Sequence, residues 1–120
     1  MKYLYSYTGI AIMGTSILHF FIGLLYYRPL LFKLISSSIK DDNAASIPND
    51  VNLFFWFEIS GLALLLLGVL VDWLIRVMNL QLPLLFCIGF LLLGILATVF
   101  APKSGSWLIL IQSIILLVWR

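Results

Sequence analysis

With 120 residues, 63% of them hydrophobic and only 10% charged, the chain has too few charges to cover a soluble domain. A net charge of +2 with no Lys/Arg run speaks against nucleic acid as a partner. One cysteine, Cys87, and one histidine, His19, exclude an intrachain disulfide and a protein-only zinc site, and nothing in the sequence asks for a cofactor.

A hydrocarbon core of about 30 Å needs about 20 helical residues, since each rises about 1.5 Å. Four apolar stretches come near that length, predicting one all-α domain over residues 1–120, an integral-membrane four-helix bundle. Met1-Lys2 lead into a long apolar run with no small-x-small site behind it, which reads as a retained anchor and not a cleaved leader. The first helix is predicted over residues 8–27. Tyr3, Tyr5 and Tyr7 form an aromatic belt at one end, Tyr26 and Tyr27 at the other, and Arg28-Pro29 are expected to stop it.

The loop over residues 28–52 is the long one. Leu30, Leu31, Leu34, Ile35 and Ile39 interleave with Lys33, Ser36, Ser37, Ser38 and Lys40 at helical spacing, which predicts a short helix on the membrane surface. Asp41 to Asn52 is expected to be polar loop. The second helix is predicted over 53–75, with Trp56 and Trp73 near its ends and Asp72 and Arg76 four apart as an interfacial ion pair. The third is predicted over 83–101, with Pro83 in its first turn and a stop before Pro102-Lys103. The fourth is predicted over 106–119, entered by a Ser104-Gly105-Ser106 turn and cap. Trp107 to Trp119 covers only about 18 Å, a shortfall that local thinning or burial against the other helices accommodates. Trp107, Trp119 and Arg120 are read as markers of the two interfaces.

Positive charges divide almost evenly between the two sides: Lys2, Arg76 and Arg120 against Arg28, Lys33, Lys40 and Lys103. Lys2 beside the first helix, and Asp41, Asp42 and Asp50 in the opposite loop, favour an N-terminus inside.

Within lipid, close helix packing depends on small and polar side chains. Gly9, Ser16, His19 and Gly23 fall on one face of the first helix; Glu58, Gly61, Leu65, Gly68 and Asp72 make a seam on the second. The third helix offers Cys87, Gly94, Thr98 and Ala101, and the fourth Gln112 and Ser113. Gly23, Gly61, Gly68 and Gly94 are read as packing positions, and Cys87, with no base or second thiol near it in sequence, as a packing thiol. Counted from the side shared by the end of the first helix and the start of the second, His19 lies about 12 Å deep, Glu58 about 8 Å, Gln112 about 9 Å and Thr98 about 6 Å. These four, with Ser16, are the candidate proton or ligand site. An ionisable group at membrane depth is a functional candidate by default. Burial favours the neutral forms of an acid and an imidazole while their attraction favours the charged ones, so His19 and Glu58 are expected to exchange a proton or to fix packing by a hydrogen bond.

Leu18-His19-x-x-x-Gly23, Phe55-Trp56-Phe57 with Gly61, Gly68-x-x-x-Asp72-Trp73, Pro83 and Pro102-x-Ser104-Gly105-x-Trp107-Leu108 run in order along nearly the whole chain. Together they resemble an uncharacterised bacterial family of small four-helix membrane proteins, a domain of unknown function. The resemblance implies a four-helix bundle in a bacterial inner (cytoplasmic) membrane and carries no activity. The chain departs from that pattern at Glu58, where the family more often has an apolar residue. Size and charge balance are also similar to the small multidrug resistance exporters, an analogy only, because their membrane glutamate sits in the first helix.

Three functions follow as expectations. The first is proton-coupled transport or binding of a small apolar or cationic ligand, with a homo-oligomer, a dimer first, enlarging the cavity. The second is a membrane enzyme doing acid–base chemistry on a lipid-like substrate through His19 and Glu58. The third is an accessory or structural subunit of a larger complex. Transport or binding is preferred, and an enzyme is not.

Overall fold

Each of the four apolar stretches folds as a helix in the computed structural model, which describes residues 2–37 and 49–120. Among these residues there is no strand. Helices α1 (Lys2–Ser6) and α2 (Thr8–Tyr26) run almost continuously across Tyr7, whose amide donates to Tyr3 O while Thr8 Oγ1 donates to Leu4 O. Arg28-Pro29 does not end helical structure: α3 (Arg28–Ser37) begins at once. A proline in a first turn removes no hydrogen bond, because the amides there have no intrahelical acceptor. The predicted surface helix thus corresponds to α3 as far as Ser37, and Ser38, Ile39, Lys40 and 41–48 lie outside the described residues.

Helix α4 (Asn49–Asp72) starts four residues earlier than hydropathy places it, so 49–52 is helix and not loop. It then widens into a π turn, Trp73–Val77, in which the Met78 amide donates to Trp73 O. Asn79, at φ 51°, ends the run. Helix α5 (Leu84–Phe100) has Pro83 just ahead of its first turn, in extended conformation at ψ 140°, and not within it. A 3₁₀ turn (Pro102–Ser104) and Gly105, at φ 78°, lead to α6 (Trp107–Val118). Ser106 does not cap α6. Its hydroxyl donates to Ala101 O, as does that of Ser104, so both serines tie the connection back onto the end of α5.

The helices pack as two antiparallel hairpins, α2 on α4 and α5 on α6, joined mainly where α6 lies on α2. The buried core, including Ile12, Val71, Ile75, Leu82, Cys87 and Leu116, gathers toward the end that holds the α4–α5 connection. There Tyr5 Oη accepts from the Leu82 amide, and Arg120 Nε donates to Leu82 O. Helices α4 and α5 barely touch, and a cleft lies between the hairpins. Two helical runs, Thr8–Tyr26 and Val51–Val77, are long and apolar enough to cross a membrane; Leu84–Phe100 and Trp107–Val118 are shorter apolar helices.

Candidate functional site

Small residues let α2 and α4 approach closely. A β-carbon on Gly9 would stand 2.5 Å from Asp72 Cα, one on Gly68 2.8 Å from Met13 Cγ, one on Gly61 2.8 Å from His19 Cδ2, and one on Gly23 would collide with Glu58 Oε1. Buried Ser16 donates across the seam to Gly61 O at 2.7 Å. The stripes read from the sequence on these two helices therefore face each other. On the second hairpin Gly94 does the same service, with Leu110 Cα 3.0 Å from its would-be β-carbon.

His19 and Glu58 occupy successive layers of this seam without a hydrogen bond joining them. The imidazole stacks on Phe57, centroids 3.8 Å apart, and its Nε2 meets Phe57 O at 2.9 Å and Ser60 Oγ at 3.3 Å. A carbonyl only accepts, so Nε2 carries the proton. The Cδ2–Nε2 edge is turned to α4, and His19 is among the residues that line the cleft between the hairpins. Glu58 sits one layer outward, against Gly23, with Oε1 buried and without a partner among the described residues.

Gln112 and Thr98 do not join the pair. Gln112 Nε2 donates to Ala11 O at 3.1 Å and to Thr15 Oγ1 at 2.6 Å, which docks α6 on α2. Thr98 donates to Gly94 O within its own helix. The depth count misplaces Gln112 because it assumes that α6 starts level with the end of α2. Ala11 and Thr15 lie about 18 Å or more from Tyr27 along α2, twice the depth counted for Gln112. The segment after Ala101 descends alongside the last turns of α2 before α6 begins, which is why α6 is short. Asp72 and Arg76 form the expected pair, bidentate at 2.7 and 2.9 Å. Trp56, Trp73 and Trp107 are exposed, and Trp119 is half-buried.

The recessed connection roofs a cleft of about 490 Å³ between the hairpins. Thr15, Leu18 and His19 of α2 and Ser60, Ala63 and Leu64 of α4 line one side of it. Leu93 and Ala97 of α5, Ser104–Ser106 and the start of α6 close the other side. Thr15 and Ser60 are cleft residues that the polar-stripe reading passes over. Thr15 stands one turn before His19, and Ser60 one turn after Phe57, so helical spacing from His19 and its carbonyl partner finds both.

The chain belongs to DUF6463, a family of unknown function, whose model matches residues 4–120. No curated protein and no solved structure matches it.

Proposed function

We propose that this member of DUF6463 is a multi-pass protein of a bacterial inner membrane, N-terminus inside, in which four helices bundle across the bilayer. In that setting it binds, and passes on or transports, a small amphipathic molecule drawn from the lipid. The cleft carries this reading: its walls are apolar over most of their area, a few polar groups converge in it, and it lies where α4 and α5 part. Exposed apolar side chains on the outer faces support the lipid setting; Leu85 and Phe100 are each 83% exposed. A Ser-Gly-Ser connection at helix depth is tolerable in lipid when it lines a cavity, as this one does.

Native mass spectrometry of the protein released from lipid nanodiscs tests the reading. A retained small molecule is expected, and Ala97→Phe, which fills the cleft, should release it. A wild-type protein that retains nothing, or a variant that retains as much as wild type, overturns the proposal.

A further inference from the structure

The hydrogen-bonding state of the cleft narrows the class of molecule that fits, on the reading that the cleft is a binding site. Each hydroxyl on its lining already gives its proton to the backbone: Thr15 to Ala11 O, Ser60 to Phe57 O, Ser104 and Ser106 to Ala101 O. These side chains therefore have no proton to offer, only oxygen lone pairs, one of which on Thr15 is already taken by Gln112 Nε2. His19 is in the same condition. Its Nε2 proton goes to Phe57 O, so in the uncharged tautomer Nδ1 is an acceptor, and Nδ1 has no hydrogen-bond partner among the described residues. Among the described residues no Asp, Glu, Lys or Arg lines the cleft.

We propose that the cleft takes an uncharged apolar molecule bearing one hydroxyl, a long-chain alcohol or an alkylphenol, whose O–H donates to His19 Nδ1. A carboxylate or phosphate would bring its charge into an uncharged cleft and meet a row of acceptors. An ammonium would find no carboxylate to pair with. A hydroxyl carries no charge and donates one proton, so it satisfies Nδ1 without bringing a charge into the cleft. The apolar remainder lies along Leu18, Leu64, Leu67 and Leu93.

The chain has one histidine, so its ring nitrogens can be read without assignment. Protein labelled with ¹⁵N-histidine, in nanodiscs, is titrated with 4-hexylphenol and with 4-hexylanisole, in which a methyl group replaces the hydroxyl proton. The phenol should shift the unprotonated ring nitrogen and bind about tenfold tighter than the ether, the ratio expected for one buried hydrogen bond. His19→Phe keeps the stack on Phe57 and should bring the two affinities together. Equal affinities in the wild type, or a phenol that binds without moving the nitrogen signal, overturn the hydroxyl assignment while leaving the cleft as a binding site. Failure of both probes to bind overturns the cleft reading itself. If His19→Phe does not fold, the wild-type nitrogen shift and the phenol-to-ether ratio still decide the matter.

Discussion

Gly23 and Glu58 face each other across the α2–α4 seam at a separation only a glycine permits: a β-carbon on residue 23 would enter the space of the Glu58 carboxylate and come within 2.8 Å of the Phe57 ring. That ring also supports His19, so one small residue holds both the seam and the imidazole in place. Gly23→Ala should therefore destabilise the protein by about 1–3 kcal/mol, the usual range for overpacking. Gly14, with open space around its would-be β-carbon, is the control. Gly14→Ala should be neutral or stabilising by about 0.5–1 kcal/mol. Urea unfolding in mild detergent, followed by tryptophan fluorescence, measures both. In the double variant Gly23→Ala/Glu58→Ala part of the loss should return, since one of the colliding groups is gone. Equal stability of Gly23→Ala and Gly14→Ala would disprove the close approach.

At the other end of the seam the backbone of Asp72 matters more than its charge. The Asp72–Arg76 pair is an exposed i,i+4 contact, and Asp72→Asn should cost less than about 1 kcal/mol. Gly9→Ala places a methyl 2.5 Å from Asp72 N and Cα, atoms of a helix backbone that cannot swing aside. It should cost more than Asp72→Asn, and a reversal of that order in the same unfolding experiment would refute the packing described for this end.

These two ends also show what the sequence makes legible and what it hides. The stripes Gly9-Ser16-His19-Gly23 and Glu58-Gly61-Gly68-Asp72 announce a seam because small and polar residues on one helical face have few other uses in an apolar chain. Tyr27-Arg28-Pro29 misleads because a charge and a proline suit the start of a second helix as well as the end of a first. The placement of Thr98 and Gln112 depends on how far the connection after Ala101 descends, a tertiary fact with no local signature. The cleft depends on it too, since the same connection forms its roof. Glu58 draws attention as an ionisable residue, yet the cleft lies on the His19 side of the seam and Glu58 is not on its lining.

Ser16 and Thr98 separate a hydroxyl that joins helices from one that does not. Ser16, fully buried, donates across the seam to Gly61 O, whereas Thr98 returns its proton to the preceding turn of its own helix. Ser16→Ala should lose about 0.6 kcal/mol, and at most about 1.7. Thr98→Val keeps the shape and breaks no contact between helices, so its effect should be smaller. The ordering of the two unfolding midpoints is the readout; a larger loss for Thr98→Val contradicts the assignment of Ser16 as the interhelical donor.

Gln112 gives the sharpest test of how the two hairpins are held together. Both of its hydrogen bonds run from Nε2 to acceptors on α2, Ala11 O and Thr15 Oγ1, and its Oε1 is buried with no partner among the described residues. The amide cannot be turned over without setting Oε1 against Ala11 O, so the donor group must face α2. Gln112→Glu replaces that donor with an oxygen. When ionised it repels the carbonyl, and when protonated it restores one bond at most. A loss of about 1–3 kcal/mol is expected, the cost of leaving buried polar groups unsatisfied. Gln112→Met removes the orphaned oxygen together with the two donors, keeps the length of the side chain, and should be the milder change. Cysteines placed at Leu18 and Leu108, which line the same cleft from α2 and α6, cross-linked with a short bifunctional reagent, report whether α6 stays on α2. Cross-linking should persist in Gln112→Met and fall in Gln112→Glu. Should both variants cross-link like wild type, with unchanged unfolding midpoints, Gln112 would not be what docks one hairpin on the other.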